Sequence, residues 1–505
     1  MPWLVVAFCG VLLSAALPPS TLWPLTLALL PLFVMVAGSE KPRRAFWLGV
    51  AFGAPFFSLY ILWLPSSFSE LLGSFFWALF PPLVAVLAAF WGLVCWASRA
   101  LGGRGAGTLW LLPAFWVLME WARTQGYLGF PWGTLGYAWL DTPVAQLADT
   151  VGTYGLSLLS TVLVALLAAA LSPYIDTGPE RAGRLKRTLG LLLVATALGV
   201  GSWLVGLSKG DRPIPEATDT ALLVQGNGDP FGRAVSAVAE IDIYTQLTRE
   251  GVGRISPPPT YAIWPEGAVL GATLDGRAGE TTRQVVQASA PEITLIVGSR
   301  AFEAGKSFNS AYSLSGGQVF DRYDKRFLVP FGERWPLIET AAPLYRAIFG
   351  LLGLPLLIST SPGKALEPLL TPEGPVATYI CYESVFPQVP RLMVKHGAGL
   401  LINITNDAWF ARGNGARQHF DMGRMRAIET RRYLLRAGND GITAVVDPRG
   451  ESRLELERRV RGSLLASYGL ATELTPYVRY GHLLVYALIA YLVLAGAAMR
   501  VMGNE

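Results

Sequence analysis

The chain has 505 residues, which is long enough for several domains. Its charged fraction of 15% lies well below the usual quarter and its mean hydropathy is +0.40, values that do not fit an ordinary soluble protein. The net charge of +5 is weak support for a nucleic-acid partner, because the basic residues gather between hydrophobic stretches. We therefore expect a membrane protein without a nucleic-acid partner.

The first part of the chain contains long stretches without charge. No charged residue occurs in residues 1–39, 45–69 or 71–98. A membrane helix needs about 20 apolar residues, and by that rule the sequence predicts about eight spans. These are placed at 2–18, 21–38, 45–64, 75–97, 107–124, 147–171, 189–207 and 482–500. We expect three units, namely a helical bundle at 1–210, a soluble domain at 215–472 and a membrane return at 480–500.

Short basic loops indicate how these spans are oriented. The basic residues that flank the spans are Lys41, Arg43, Arg44, Arg99, Arg104, Arg181, Arg184, Lys186, Arg187 and Arg500. Because short basic loops face the cytoplasm, a cytoplasmic N-terminus puts all of them inside. The soluble domain then lies outside the cytoplasm, which is the periplasm in a diderm bacterium.

One loop on that outer side, at 125–146, is rich in aromatic residues and glycine. Two interpretations stay open. The loop is either an aromatic belt with turns at the membrane surface or a surface shaped for lipid chains that enter a site.

In the soluble domain, short β-rich runs alternate with helical patterns, which favours an α/β layered fold. Candidate strands are 220–225, 260–264, 293–298, 307–313, 318–323, 376–380, 399–405 and 442–447. Candidate helices are 232–251, 278–289, 384–396 and 417–436. The runs 221–224 and 400–402 are apolar throughout, as expected for strands that are covered on both faces.

Three of the predicted strands are followed by residues with useful chemistry: Glu266, Lys325 and Cys381. A cysteine attacks as the thiolate, and its free pKa is about 8.5, so it needs a base or a neighbouring cation. Glu266 is a candidate base, and Lys325 is a candidate stabiliser of the thiolate and of an oxyanion. The N–H of Tyr382 is a candidate second oxyanion donor.

Other assignments of the same residues stay open. Alone, a cysteine at a strand end is more often a small buried residue, and Lys325 lies in a charged run typical of a solvated turn. His419 and His396 are candidates for a Cys–His pair, but neither has the strand-end placement of Glu266 and Lys325. We expect no metal and no cofactor, because the sequence has no His/Cys cluster with metal spacing and no phosphate loop.

Longer motifs around these residues resemble a known family. Residues 264–267 (Trp-Pro-Glu-Gly), 323–333 and 380–383 (Ile-Cys-Tyr-Glu) resemble the three signatures of the nitrilase, or carbon–nitrogen hydrolase, superfamily. The long second motif and the flanking spans narrow the resemblance to bacterial apolipoprotein N-acyltransferases. Residues 129–132 and 405–410 resemble the same family, so the resemblance covers essentially the whole chain.

The resemblance implies a fold and a set of residue roles. The fold is an αββα nitrilase-like sandwich on a membrane bundle of about eight helices. Glu266 is implied as the base, Lys325 as the stabiliser of thiolate and oxyanion, and Cys381 as the nucleophile. Glu333, Tyr382 and Glu383 are implied as supporting residues, and the implied substrate-binding residues are Asn309, Phe331 and Trp409.

The implied reaction is a two-step acyl transfer. Cys381 takes an acyl chain from a phospholipid, and the α-amine of an apolipoprotein's S-diacylglyceryl cysteine then takes it from the thioester. We expect a monomer in the bacterial inner membrane with the catalytic domain on the periplasmic side. The alternatives are a membrane-tethered amidase or nitrilase, and a transporter or lipid-binding protein whose nitrilase-like domain is inert.

Two segments are left open. The sequence at 228–231 is Gly-Asp-Pro-Phe, where the family usually has an apolar residue and Pro-Gln. The resemblance implies that this segment lines the pocket for the acyl chain, so the structure of that side of the pocket is not predicted. The mostly apolar segment 337–358 is either a mobile arm that dips into the membrane or an ordinary covering helix.

Overall fold

A computed structural model describes residues 2–74, 76–175, 181–228, 236–352 and 359–502. Its first part is a helical bundle, to which the last helix of the chain returns. The bundle helices are α1 (Pro2–Ser14), α2 (Leu29–Gly38), α3 (Pro42–Tyr60), α4 (Trp63–Leu72), α5 (Phe76–Gly102), α6 (Ala106–Ala122), α7 (Ala148–Ile175), α8 (Arg181–Gly210) and, at the C-terminal end, α15 (Leu483–Met502).

Each predicted span coincides with an apolar helix, and α4 is an additional short helix after α3. Among the described residues, three stretches are long and apolar enough to cross a membrane: Phe76–Gly102, Pro143–Leu171 and Leu185–Gly210. A fourth results if α3 and α4, which are bent by 42°, act as one span. Four further apolar stretches are shorter: Pro2–Ser14, Trp23–Gly38, Ala106–Ala122 and Leu483–Met499. Helix length and composition therefore support three or four spans, and the predicted count of eight is not established.

Hydrogen bonds define the two ends of the bundle. Arg99, in the last turn of α5, donates to the carbonyls of Ser39 and Glu40 at 2.7 and 3.1 Å. The basic loops after α2 and α5 therefore lie at the same end. At the opposite end of α3, the Tyr60 carbonyl accepts from Gln418 Nε2 of the second domain at 3.0 Å. The basic loops and the second domain thus lie at opposite ends of α3.

The second part of the chain contains two six-stranded sheets. Their strands are β1 (Asp219–Gln225), β2 (Tyr261–Ile263), β3 (Thr294–Glu303), β4 (Lys306–Ser315), β5 (Gln318–Asp324), β6 (Leu369–Thr371), β7 (Gly374–Ile380), β8 (Leu401–Thr405), β9 (Leu434–Gly438), β10 (Thr443–Val446), β11 (Ser452–Leu456) and β12 (Gly462–Tyr468). The first sheet has the order β12-β1-β2-β3-β4-β5, and the second has the order β11-β10-β9-β8-β7-β6. The runs β1-β2-β3 and β7-β8-β9 are parallel, and the other pairs are antiparallel.

Helices cover the outer faces of the two sheets. These helices and the short connectors are α9 (Ala237–Val252), α10 (Glu280–Gln287), α11 (Ile338–Leu352), α12 (Gln388–Lys395), α13 (Gly415–Thr430) and α14 (Pro476–Tyr480). In β1, Ala221 and Leu223 belong to the core between the sheets, whereas Leu222 and Val224 pack with Tyr244 of α9. All four strand residues are buried, which confirms that this apolar run is covered on both faces. The domain is therefore an αββα sandwich.

The prediction of a helix over 417–436 is wrong at its C-terminal end. Helix α13 ends at Thr430, because Arg431 adopts a left-handed conformation with φ of 54°. Strand β9 follows at once, and the strands β6, β11 and β12 were also missed. The predicted start of the helix at 232, and the unusual sequence after Gly228, fall on residues 229–235, which lie outside the described residues.

A buried polar group, here called the junction cluster, joins the sandwich to the bundle; it consists of Thr153, Arg426 and Glu429. Helix α7 is interrupted at Gly152, whose φ is +67°, and a Cβ there would lie 2.4 Å from Tyr477. Glu429 Oε1 accepts from the Thr153 N–H at 2.9 Å and from its hydroxyl at 2.7 Å. Arg426 pairs with Glu429 at 3.1 Å. A carboxylate of the sandwich thus caps a helix of the bundle.

Candidate active site

The three residues that the sequence places after strands come together between the two sheets. Glu266 follows β2 and Lys325 follows β5 in the first sheet, while Cys381 follows β7 in the second. Lys325 Nζ lies 3.2 Å from Glu266 Oε1, and both charges act on the thiol of Cys381. Because each sheet supplies part of the group, it forms only when the two sheets are packed together.

Glu266 is held by hydrogen bonds from three directions. Its Oε1 accepts from Lys325 Nζ at 3.2 Å and from Asn309 Nδ2 at 2.7 Å. Its Oε2 accepts from the backbone N–H of Asn406, which follows β8, at 2.9 Å. The carboxylate is therefore fixed in orientation and remains partly accessible, with 11% of its side chain exposed.

Lys325 lies between two carboxylates. Its ammonium group is 2.9 Å from Glu333 Oε2, in addition to the Glu266 contact. Burial alone would lower the pKa of Lys325, but the charges of Glu266 and Glu333 raise it well above its usual value. Lys325 thus stays a buried ammonium group beside the cysteine.

Glu333 and Asn309 complete this group. Glu333 Oε2 accepts from the Val329 N–H at 2.9 Å, and Asn309 Nδ2 donates to Glu333 Oε1 at 2.8 Å. Burial would raise the pKa of Glu333, but Lys325 lowers it, so the carboxylate is charged. We call Glu266, Asn309, Lys325 and Glu333 the site cluster. It contains two carboxylates for one ammonium group.

Cys381 has an unusual backbone conformation. Its φ is +50°, in the left-handed region, and it begins a 3₁₀ helix at Cys381–Val385. Such conformations in residues other than glycine cost about 1–3 kcal/mol and cluster at functional sites. Burial and the Glu266 charge raise the pKa of the thiol, although Lys325 opposes this. The resting cysteine is therefore a thiol, and its activation requires transfer of the proton to a base.

Glu383 ties the two sheets together close to the cysteine. It is fully buried, and its Oε2 accepts from the Ile380 N–H at 2.9 Å. Its Oε1 accepts from the Tyr323 hydroxyl at 2.7 Å and from the Arg326 N–H at 2.8 Å. Glu383 therefore joins the end of β7, before Cys381, to the segments that flank Lys325.

Tyr382 connects the site to the bundle. Its hydroxyl donates to the Gly129 carbonyl at 2.6 Å, and its ring stacks on Trp132 at 5.9 Å. Trp132 and Trp63 both donate to Gln418 Oε1, at 3.0 and 2.8 Å. Part of the aromatic loop 125–146 is thus a buried wall beside the cysteine. Its residues Trp132, Tyr137 and Trp139 are buried, so these three do not form an exposed aromatic belt.

A cavity of about 390 Å³ lies where the bundle meets the sandwich. Tyr60, Trp63 and Gln418 contribute to its lining. Because Gln418 also holds Trp132, and Trp132 stacks on Tyr382, a continuous row of side chains connects the cavity with the residue after the cysteine.

The remaining predicted substrate-binding residues lie nearer the surface. Phe331 has a positive φ of 61° and is 49% exposed, and its ring meets Trp335 edge-on at 5.6 Å. Trp409 is partly buried in the 3₁₀ helix Asp407–Phe410. The segment 337–358 contains α11, and its residues 353–358 lie outside the described residues.

A second buried group behind the cysteine was not predicted from the sequence. His419 Nε2 lies 3.0 Å from the Cys381 carbonyl oxygen, and His419 Nδ1 lies 3.0 Å from Asp407 Oδ1. Arg436 pairs with Asp407 at 2.7 Å. The sequence makes His419 a candidate base for the thiol, but its ring contacts the backbone carbonyl of Cys381. In the part of the chain that the structure describes, no group of His, Cys, Asp and Glu residues suits a metal ion.

Two family profiles match the chain. The one described as apolipoprotein N-acyltransferase N-terminal domain matches residues 9–169. The one described as carbon-nitrogen hydrolase matches residues 256–468. The first match lies in the bundle and the second in the sandwich.

Similar proteins match either the sandwich alone or nearly the whole chain. A carbon-nitrogen hydrolase structure from Helicobacter pylori is 17% identical, covers 53% of this chain and 98% of its own, and has a TM-score of 0.40. The apolipoprotein N-acyltransferase of Geobacter metallireducens is 31% identical over 97% of this chain and 93% of its own length. That of Nitrosomonas europaea is 33% identical over 99% of this chain and 98% of its own length. These two relatives match the bundle and the sandwich together.

Proposed function

The chain belongs to the apolipoprotein N-acyltransferase family, and from this premise we propose that it transfers a fatty acyl chain from a phospholipid to an apolipoprotein. The acceptor is the α-amine of the apolipoprotein's N-terminal S-diacylglyceryl cysteine. The observation that carries this proposal is the meeting of Glu266, Lys325 and Cys381 in a sandwich that is docked on apolar helices. Both substrates are lipids, so a polar site beside such a bundle suits them.

In the first half-reaction, Cys381 is the nucleophile and Glu266 is the base. Glu266 accepts the thiol proton as the sulfur attacks an ester carbonyl of the phospholipid. Lys325 and the Tyr382 N–H stabilise the negative oxygen of the tetrahedral intermediate. When the intermediate collapses, the proton on Glu266 passes to the departing lysophospholipid, and a Cys381 thioester remains.

In the second half-reaction, the free α-amine of the apolipoprotein attacks the thioester carbonyl. Glu266 takes a proton from the amine, and Lys325 again stabilises the oxyanion. The thiolate leaves and recovers its proton, which yields an amide on the apolipoprotein. Exclusion of water by the buried wall at Tyr382 favours the amine over hydrolysis.

The same proposal covers the supporting residues. Glu333 and Asn309 position Lys325 and Glu266, and this role rests on their hydrogen bonds in the site cluster. Glu383 and Tyr382 shape the cysteine turn. For substrate contact, we propose Asn309 and the partly exposed side chains of Phe331 and Trp409.

We further propose that the protein is a monomer in the bacterial inner membrane, with about eight spans and a periplasmic catalytic domain. The proposed units are the bundle at 1–210, the sandwich at 215–472 and the return helix at 480–500. Support for the orientation comes from the basic loops, which lie at the end of α3 opposite the sandwich.

The proposal is tested with purified protein, phosphatidylethanolamine and a synthetic peptide that begins with S-diacylglyceryl cysteine. Mass spectrometry measures the acylated peptide and the lysophospholipid, which we expect in equal amounts. A peptide with an acetylated α-amine is the control, and we expect it to remain unmodified.

The alternative of a membrane-tethered amidase makes a different prediction. Hydrolysis of small amides without any acylated peptide would support the amidase and contradict the acyl transfer. Release of lysophospholipid with free fatty acid, again without acylated peptide, would contradict the role of the amine as acceptor.

A further inference from the structure

Cys381 adopts a strained conformation that its own chemistry does not explain. Its positive φ is uncommon for a residue with a Cβ. The conformation turns the chain sharply from β7 into the 3₁₀ helix Cys381–Val385. Such a strained residue persists only where its surroundings hold it, so the contacts of its backbone indicate what maintains the turn.

The Cys381 carbonyl is held by His419 of α13. His419 Nε2 lies 3.0 Å from this oxygen and 2.8 Å from the Ser384 hydroxyl, which is in the same 3₁₀ helix. A carbonyl oxygen can only accept, so His419 Nε2 carries the proton and donates. The histidine thus contacts the start of the helix and its next turn.

The opposite side of the ring is also fixed. His419 Nδ1 lies 3.0 Å from Asp407 Oδ1 and 3.1 Å from Arg436 Nη2. Without a proton, Nδ1 accepts from Arg436; with one, it donates to Asp407. The contact with the cysteine turn therefore requires the proton on Nε2, and the 3.0 Å approach of Nε2 to the Cys381 carbonyl supports that assignment.

The group around the ring is closed to solvent. The side chains of His419 and Asp407 are 0% exposed, and that of Arg436 is 1% exposed. Burial would raise the pKa of Asp407, but Arg436 and His419 hold it well below its usual range. Asp407 is therefore a charged anchor for Arg436 and His419. The Thr405 hydroxyl also donates to Asp407 Oδ1 at 2.9 Å.

We propose that His419, held by Asp407 and Arg436, is a positioning residue that fixes the Cys381 turn through its Nε2–H bond to the cysteine carbonyl. This bond orients the sulfur toward Glu266 and Lys325 and presents the Tyr382 N–H to the oxyanion. His419 acts through the backbone and takes no proton from the thiol. The inference rests on the proposed function of Cys381 as the acylated nucleophile.

Two substitutions separate positioning from stability. In His419→Gln, the side-chain amide can reach the former Nε2 position and still donate to the carbonyl. In His419→Asn, the amide remains near Asp407 but is too short to reach Cys381. Both changes remove the ring from the same buried group, so a purely structural role would affect the two variants alike. The matched control is His396→Asn, at a histidine whose side chain is 42% exposed.

The measurement is the rate of thioester formation from phosphatidylethanolamine, followed by intact mass in the full-length protein over a range of lipid concentrations. We expect His419→Asn to slow the maximal rate about 100-fold, the scale of a small misplacement of a reacting group, while the lipid concentration at half-maximal rate changes less than about threefold. His419→Gln is expected to stay within about tenfold of the parent. His396→Asn is expected to match the parent.

The inference would be overturned, with the proposed function intact, by acylation of His419→Asn at the parent rate or by an equal loss in the Asn and Gln variants that parallels their thermal unfolding. Failure of the parent to form any thioester has a different meaning, since it would contradict the proposed function itself. A rise in the lipid concentration at half-maximal rate, with the maximal rate unchanged, would also contradict positioning, because it would place His419 in lipid binding.

Discussion

The site cluster and the junction cluster both contain buried charged groups, but they differ in exposure to solvent and in charge balance. In the junction cluster, the side chains of Arg426 and Glu429 are both 0% exposed, and one carboxylate meets one guanidinium. In the site cluster, Lys325 is 1% exposed, but Glu266 and Glu333 keep 11% and 18% of their side chains exposed. The site cluster also carries one carboxylate more than it has cations.

The two clusters differ in exposure and in charge balance, and these properties suit different roles. A closed and balanced pair that caps a helix of the bundle is suited to docking two domains. The partly exposed site cluster has an extra carboxylate that can accept a proton. Its ammonium group can stabilise the negative charge that develops during the reaction. We therefore expect substitutions in the site cluster to lower activity much more than stability, and substitutions in the junction cluster to lower stability much more than activity.

The largest effect is expected for Glu266→Gln. The change keeps the size of the side chain but removes the proton acceptor for a thiol whose pKa is raised. We expect acyl transfer to fall at least about 10⁴-fold, the scale on which loss of a catalytic triad member acts. Acyl transfer to the diacylglyceryl peptide measures the activity, and thermal unfolding measures the fold.

The matched control for this change is Glu250→Gln, at an exposed position of α9 where the carboxylate accepts from Gln246. It is expected to leave activity and unfolding unchanged. If Glu266→Gln instead lowered the unfolding temperature strongly and kept its activity, the distinction between the two clusters would collapse.

The next effect is expected for Glu429→Ala. Helix α7 resumes at Thr153 after its break at Gly152, and this variant removes the cap of that second segment. It also leaves the Arg426 charge buried without its partner. Breaking a buried pair in this way typically costs about 3–5 kcal/mol, so we expect a large loss in the free energy of unfolding. Activity per folded molecule is expected to stay within about threefold of the parent, because Glu429 lies outside the site cluster. A threefold change in rate corresponds to less than about 1 kcal/mol in activation free energy.

Glu455→Ala serves as the comparison for this variant, because its pair with Arg417 is 33–40% exposed. Exposed pairs contribute about 0–1 kcal/mol. A Glu429→Ala protein as stable as Glu455→Ala would show that the junction cluster does not hold the domains together.

A smaller effect is expected for Tyr382→Phe, which tests the connection between the site and the bundle. The ring remains to stack on Trp132, but the hydrogen bond to the Gly129 carbonyl is lost. The expected cost is about 1–2 kcal/mol, shared between stability and the rate of acylation. Chemical unfolding and thioester formation measure the two parts, with Tyr486→Phe at an exposed tyrosine as the control.

The smallest effect concerns pH and sharpens the description of the site cluster. Since the pKa of Glu333 is lowered in the folded protein, its charge contributes stability that is complete above the usual carboxyl pKa of 4.5. That contribution is lost as the pH falls through the lowered value. The excess stability of the parent over Glu333→Gln is therefore expected to be constant from about pH 5 to pH 8 and to shrink below about pH 4. Urea unfolding at each pH measures it, and a difference that grows on acidification would contradict the pairing with Lys325.

Much of this site was predictable from the sequence because its main residues follow apolar strands. Runs that are apolar on both faces predict parallel strands. Reactive or charged side chains directly after such strands predict a functional site at that edge of the sheet. Strand β9 was missed because no glycine or proline separates it from α13. Its Arg436, which is buried against Asp407, also lacks the apolar character expected of a central strand.

Contacts between distant parts of the chain could not be predicted in the same way. Tyr382 meets Gly129 and Trp132, which lie about 250 residues earlier in the chain, and no periodicity in either segment indicates the partner. His419 was visible as a candidate base. Its contact with the Cys381 carbonyl depends on how α13 packs against the second sheet, which only the folded structure reveals.

If Cys381 carries the acyl chain, the intact mass of the protein after incubation with phosphatidylethanolamine reports the acylated cysteine. We predict a mass gain of one acyl chain that hydroxylamine removes, and no gain in Cys381→Ser. An acyl adduct that persists in Cys381→Ser, or unmodified parent protein that nevertheless acylates the peptide, would contradict the account.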